Sequence, residues 1–135
     1  PVCLYLAGNI DEEALAIINL HNKSYPDSVS FEGALSHHEA IRLVNKSDIS
    51  ICILDKSVLN YMYSYPIKIF EYLALGNIVI ASNTVAIQEV ITHEKNGFLI
   101  DGKPDSVADT VENIYFDRID RRVISYIITP CNNSK

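Results

Sequence analysis

SYPIKIFEYLALGNIVIAS, residues 64–82, reads as one helix running into one buried strand. Pro66 suits the first helical position, where its missing N–H is not needed and its φ is already near helical. Ile67, Phe70, Leu73 and Ala74 recur at three- and four-residue spacing and predict an apolar face. Gly76 stands where a helix C-terminus favours a residue that accepts positive φ. Ile78-Val79-Ile80-Ala81 then runs apolar without alternation, the pattern of a strand covered on both faces of a parallel sheet.

Lys68 and Glu71 carry the chemistry of this stretch. They are three residues apart, so both can project from one side of the first turns. Free N–H groups and the partial positive charge at a helix N-terminus suit a phosphate, and Lys68 adds a full charge. Glu71, one turn further in, is a good acceptor for a vicinal pair of hydroxyls such as those of a ribose. A plain surface ion pair on an amphipathic helix explains the same two residues.

Working outward, the chain repeats strand and helix about five times. Val2 to Ala7 is the first strand, and Asp11-Glu12-Glu13 open a helix to about Lys23, favouring its dipole. After a turn at Tyr25-Pro26-Asp27, Ser28 to Glu32 is a short strand ending at Gly33. Ser36 and Glu39 form a capping box for a helix to about Lys46. Asp48 to Leu54 is the third strand, and Asp55 to Ser64 a tyrosine-bearing loop. Beyond the central stretch, Thr84 is the expected cap of a helix from Val85 to Thr92, and Phe98 to Ile100 is the fifth strand. Pro104 or Asp105 opens a helix to about Tyr115, and Asp117 to Ile128 reads as one more. The order predicts an α/β fold: a single Rossmann-like parallel sheet of about five strands with helices on both faces. Ligands of such sheets sit beyond the carboxyl ends of the strands. Those ends are Gly8-Asn9, Gly33-Ala34, the 55–65 loop and Ser82-Asn83.

The whole chain has 135 residues, enough for one domain with a real core. We read residues 1–130 as that domain and 131–135 as a polar tail. Hydrophobic residues make up 48% and charged residues 21%, which argues against disorder. The net charge of −6 weighs against a nucleic-acid partner, which needs clustered Lys and Arg. A small diphosphate needs only a local positive site. No apolar run reaches the length of a membrane span, so no transmembrane segment is expected. No basic-then-apolar signal opens the chain, which starts as a strand already inside a domain and suggests a piece of a longer protein. Cys3, Cys52 and Cys131 lack metal-ligand or C-x-x-C spacing and read as reduced thiols of a cytosolic protein. The N-x-S patterns at Asn22, Asn45 and Asn132 carry no expected glycan without a secretory signal. No metal or cofactor is expected. His37 and His38 read as solvated helix-start residues, and His93 as a cation at a helix end.

P-x-K-x-x-E-Y-L-A-x-G (66–76), an apolar strand, and then N-T-x-x-x-x-E-V-I (83–91) resemble the donor-binding, C-terminal half of GT-B glycosyltransferases, family 4-like. The resemblance runs from about Val2 to Ile114, and its specific core is Ser64 to Ile100. It implies a hexosyltransferase-like, retaining transfer of a sugar from a nucleotide-diphosphate donor to an acceptor hydroxyl, without an obligatory metal. It also implies an N-terminal acceptor-binding domain of the same protein, absent here, so the isolated chain is expected to be inactive. A cytoplasmic location follows, with room for peripheral association of the full-length protein at a membrane. Residue by residue, Glu71 matches the glutamate that binds the nucleotide ribose. Ser64, Pro66, Ile67 and Lys68 match the segment facing the diphosphate. Gly33-Ala34-Leu35 match the loop that holds the base through its main chain, although a glycine ending a strand is also an ordinary turn. Glu89 matches a glutamate of the next helix near the donor pocket.

The chain also departs from the family pattern. Tyr63 stands where many members carry a sugar-contacting glutamate, and Val85-Ala86 stand where two glycines are common. The arginine and lysine found around the first strand and its loop in many members are not recognisable. These departures keep a second reading open: a non-catalytic doubly wound nucleotide-binding or interaction domain. A receiver-like phosphoacceptor domain fits less well, because Asp11-Glu12-Glu13 read as helix-start charges.

Overall fold

A computed structural model describes residues 2–116 of the protein. The helix expected at 117–128, the tail and Cys131 lie outside the described residues. The chain divides into two compact units, one ending at Leu43 and the other beginning at Val44.

The first unit contains β1 (Leu4–Ala7), α1 (Glu12–Ser24) and β2 (Val29–Gly33). β1 and β2 pair in parallel from Leu4↔Val29 onward, with a register shift between Leu6 and Ala7. Asp11 caps α1 by accepting the Ala14 N–H at 2.7 Å, with Glu12 and Glu13 in the first turn as expected. Asn22, near the other end of α1, bonds both backbone groups of Val29: its Nδ2 donates to the carbonyl at 2.8 Å and its Oδ1 accepts the N–H at 3.2 Å. This side chain therefore sets where β2 begins. Ser36 and Glu39 close the capping box, Glu39 accepting both the Ser36 N–H and hydroxyl. Those bonds hold the Glu39 carboxyl below the usual carboxylate range. The helix they open, α2 (His37–Lys46), runs through the division at Leu43.

The second unit contains β3 (Ile49–Cys52), α3 (Leu59–Tyr63), α4 (Ile67–Ala74), β4 (Ile78–Ser82), α5 (Val85–Gln88), β5 (Phe98–Ile100) and α6 (Pro104–Tyr115). The three strands are parallel in the order β3-β4-β5, and every residue of β4 is buried. Alternation along β4 divides the core. Val79 and Ala81 face a cluster with Ile69 and Leu73 of α4 and with Ile87 and Ile91. Ile78 and Ile80 face the opposite cluster, with Phe98, Ile100 and the inner side of α6. Helices thus cover both faces of this ladder, as the apolar run of β4 implied. Among the described residues, five strands form two ladders, of two and three strands, where a single sheet was expected.

Five local expectations change. Pro66 is the N-cap of α4, with φ −65° and ψ 120°, one place before the expected first helical position; its carbonyl accepts the Ile69 N–H at 3.0 Å. The inward face of α4 is Ile69 (1% exposed) and Leu73 (6%), while Ile67 (72%) and Phe70 (47%) point to solvent. Nearly every position from 67 to 75 is apolar, so the helical period fits two phases and the pattern alone does not choose between them. The helix from Val85 ends at Gln88. Thr84 does cap it, but the β-branched run Val90-Ile91-Thr92 favours helix poorly, and Asn96 takes up its backbone instead. The Asn96 side chain accepts the Thr92 N–H at 2.7 Å and donates to the Val90 carbonyl at 2.9 Å. His93 consequently lies in the turn after α5, and its Nδ1 accepts the Leu99 N–H at 3.0 Å. A helix end was expected at His93; the ring sits in this turn instead, beyond the end of α5. The Asp55–Ser64 loop contains the short helix α3, which the sequence reading did not anticipate.

Candidate functional site

The carboxyl end of β3 and the N-terminus of α4 define one edge of the second unit. Cys52 is the last residue of β3, and Lys68 lies in the first turn of α4. Burial pushes the Cys52 thiol up, and the nearby Lys68 ammonium works against that rise. The two therefore share one neighbourhood, with the cation at the carboxyl edge of the ladder. Burial also pushes the Tyr72 phenol up, and Cys52, when ionised, and Glu71 push it the same way. Lys68, Glu71, Cys52 and Tyr72 thus interact through space, with Cys52 buried, Glu71 and Tyr72 half-buried and Lys68 exposed. Glu71 is half-buried, one turn into the helix.

Ile69 and Leu73 fix the rotation of α4, because both are anchored in the core beside Val79 and Ala81. That anchoring determines where Lys68 and Glu71 stand relative to β3 and β4. The end of β4 is equally fixed. The Ser82 hydroxyl, fully buried, accepts the Leu54 N–H at 2.8 Å and so ties the exit of β4 to the exit of β3. Asn77, just before β4, is buried and its Nδ2 lies 2.9 Å from the Val44 and Ser47 carbonyls and from the Ser50 hydroxyl. Chemically, the edge offers a cation and a carboxylate on adjacent turns of one helix with an uncapped N-terminus. That combination suits a ligand carrying both an anionic group and a hydroxyl pair.

The other expected site residues fall in two places. Ser64 is the exposed C-cap of α3, and half-buried Pro66 and exposed Ile67 follow it into α4. They share the second unit with Lys68 and Glu71. Gly33 ends β2 in the first unit and Ala34 and Leu35 follow it; Gly33 has φ +68° and its carbonyl accepts the Gly8 N–H at 2.7 Å. His37 and His38 are exposed at the start of α2.

One pair escaped the sequence reading. The Tyr65 hydroxyl donates to the Glu89 carboxylate, and that bond holds the Tyr65 phenol above its usual range. The two residues are 24 positions apart, so spacing gave no signal. A hollow of about 400 Å³ in the first unit is lined by Val2, Leu4, Leu6, Ile17, Ile18 and His21 among others. Its lining is almost wholly apolar and lacks converging charged groups, so it is a poor candidate for a phosphate-bearing ligand. Among the described residues, no group of three or more His, Cys, Asp or Glu could hold a metal ion. No helix there is long and apolar enough to cross a membrane.

The sequence profile of the family described as Glycosyl transferases group 1 matches residues 1–117. Among curated proteins, no sequence matches the chain. Solved structures with the same fold include Anabaena Alr3699/HepE in complex with UDP and glucose, at 21% identity and a TM-score of 0.67. The same protein in complex with UDP-glucose gives 19% and 0.65. Sucrose-phosphate synthase from Thermosynechococcus elongatus gives 22% and 0.66. The match covers 92% of this chain and 34% of each HepE chain, and 91% and 31% for the synthase. The chain therefore spans about a third of the length of these structures. Its α/β architecture of parallel strands and flanking helices corresponds to one Rossmann-like half of a GT-B enzyme. By the profile match over most of its length, the chain belongs to the group 1 glycosyl transferases.

Proposed function

We propose that this chain is the donor-binding part of its glycosyltransferase and takes the nucleotide-diphosphate end of a nucleotide sugar. The observation that carries the reading is the placement of Lys68 and Glu71 on successive turns of α4, at the carboxyl edge of the β3-β4-β5 ladder. Lys68 and the free N–H groups of the first turn face the diphosphate, with Ser64, Pro66 and Ile67 lining the approach. Glu71 accepts two hydrogen bonds from the ribose diol. For the base, the family resemblance assigns the main chain of Gly33, Ala34 and Leu35.

In the reaction, the sugar–phosphate C–O bond breaks as the acceptor oxygen bonds the anomeric carbon; the nucleoside diphosphate leaves with the developing negative charge and takes the acceptor's proton. Lys68 and the helix N–H groups lower the barrier by stabilising that charge where it forms. The donor sugar departs with retention at its anomeric carbon, and an acceptor-binding domain outside these residues completes the enzyme. This chain alone then binds the donor without completing transfer. Use of a nucleotide sugar fits a cytoplasmic protein. UDP is the first nucleotide to test, because it occupies the similar HepE structures.

Glu71→Gln tests the assignment. Hydrogen bonds to a charged partner contribute about 1.5–3 kcal/mol, so nucleoside-diphosphate affinity should fall roughly tenfold or more with the fold intact. Lys68→Ala should weaken the diphosphate more than the nucleoside and reduce the salt dependence of binding. Unchanged affinity of Glu71→Gln in calorimetry with UDP, GDP and ADP would refute the donor site. Tyr63 favours a second reading, a non-catalytic nucleotide-binding or interaction domain, since an exposed aromatic replaces the carboxylate at that position. That reading gains if the full-length protein binds a nucleotide sugar but transfers nothing.

A further inference from the structure

The segment from Asp55 to Tyr65 leads into the first turn of α4, yet almost nothing buried holds it. Its residues are exposed apart from half-buried Met62, and α3 buries none of its side chains. Pro66, which joins the segment to α4, has no side-chain cap. By contrast, the neighbouring α5 is firmly seated, with Thr84, Ala86, Ile87 and Ile91 in or beside it all buried. Two interactions connect the loose segment to that fixed element. α3 packs against α5, and the Tyr65 hydroxyl donates to the carboxylate of Glu89, the C-cap of α5.

We propose that Tyr65 and Glu89 are positioning residues: their hydrogen bond tethers the Asp55–Tyr65 segment to α5 and so fixes the Ser64–Pro66 approach to the first turn of α4. For a nucleotide ligand this rests on the donor-site reading above. Neither residue touches the diphosphate in this scheme. They act by holding Ser64, and the chain that leads to Lys68, in one place before the ligand arrives. Pre-ordering of this kind removes an ordering cost from binding. It acts on the group facing the diphosphate more than on the nucleoside end held by Glu71.

The test uses Tyr65→Phe, Glu89→Ala and the double variant. Both side chains are exposed, so the fold should persist. The Tyr61 N–H, bonded to the Val58 carbonyl at 2.9 Å, reports on the tethered segment, and the amides of β4 serve as the control. Each single variant should speed hydrogen exchange at Tyr61 roughly two- to tenfold, with β4 and the melting temperature unchanged. UDP affinity should fall by a similar factor while uridine affinity holds, and the double variant should match either single one. The proposal is overturned if exchange at Tyr61 does not respond, if the two substitutions add, or if UDP and uridine weaken together. It is equally overturned if the wild-type chain binds UDP and the variants bind it as well. If the wild-type chain binds no nucleotide, the exchange arm alone decides the tether, and that failure belongs to the donor-site reading.

Discussion

Asp101 shows how a single exposed carboxylate can set a response to acid. It stands just before α6, and hydrogen bonds from the Ser106 hydroxyl and the Lys103 N–H, with the Lys103 ammonium at 3.4 Å, hold its carboxyl at about 2. The ordinary value is 3.8, so the folded group is the stronger acid. Its contribution is therefore fully present above the ordinary value and is lost as pH falls through about 2. Asp101→Asn should flatten the part of the acid-unfolding curve between those limits and lower stability at neutral pH, where the wild-type contribution is fully present. An acid limb that superimposes on the wild-type curve in a pH series of thermal melts would show that these bonds persist in the unfolded chain. Lys68 and Glu71 were legible at this same scale, because their charge and spacing are properties of the sequence. The Tyr65–Glu89 bond was not, because it joins residues brought together only by the packing of α3 on α5.

At the scale of elements, the sequence was legible wherever a local signal was unambiguous. The Asp11 and Ser36–Glu39 caps start α1 and α2, Thr84 starts α5, and the unbroken apolar run of β4 is buried on both faces. α4 was misphased because its apolar residues fit two helical faces, and the choice fell to which one β4 could bury. The early end of α5 depended on Asn96, whose bonds to Val90 and Thr92 come from a turn still to be made. Gly76, before β4, and Gly97, just before β5, separate local from tertiary demands. Gly76, at the end of α4, has φ +78° and open space where a Cβ would go. Gly76→Ala should therefore cost about 1 kcal/mol through backbone conformation alone. Gly97 meets the opposite constraint: a Cβ there would lie 2.9 Å from the Val79 carbonyl oxygen and 3.1 Å from a methyl of Ile91. The Val79 backbone belongs to the buried central strand and cannot move away, so Gly97→Ala should cost about 1–3 kcal/mol by overpacking. Thermal or denaturant melts of the two variants check the order, and a Gly97→Ala protein as stable as Gly76→Ala would show that the β4–β5 packing relaxes more easily than its burial implies.

Across the whole molecule, burial is unevenly divided. Every described residue that is fully buried lies between Ser50 and Ile100, within the second unit. Residues 2–43 contain none, and Leu4, Tyr5, Ile17 and Leu20 of the first unit are exposed. The five-strand count was legible because β-α alternation is a local pattern. The division of the strands into two ladders was not, since alternation carries no information on which strand exchanges hydrogen bonds with which. Hydrophobic burial supplies most of the free energy that keeps backbone hydrogen bonds closed, so the two ladders should open at different cost. β4 has Ile69, Leu73, Ile87 and Ile91 on one side and Phe98 and Ile100 on the other, whereas β1 relies on its pairing with β2 and on partly buried neighbours. In native-state hydrogen exchange, the amides of Ile80 and Ala81 should be protected on the order of a hundredfold or more beyond those of Tyr5 and Leu6. Urea should release the β1-β2 amides first, through a sub-global opening that leaves the β3-β4-β5 ladder closed. Equal protection in β1 and β4, lost together at one urea concentration, would instead mean that the residues up to Leu43 unfold only with the rest of the chain, and that the exposed side chains of the first unit are not a measure of its stability.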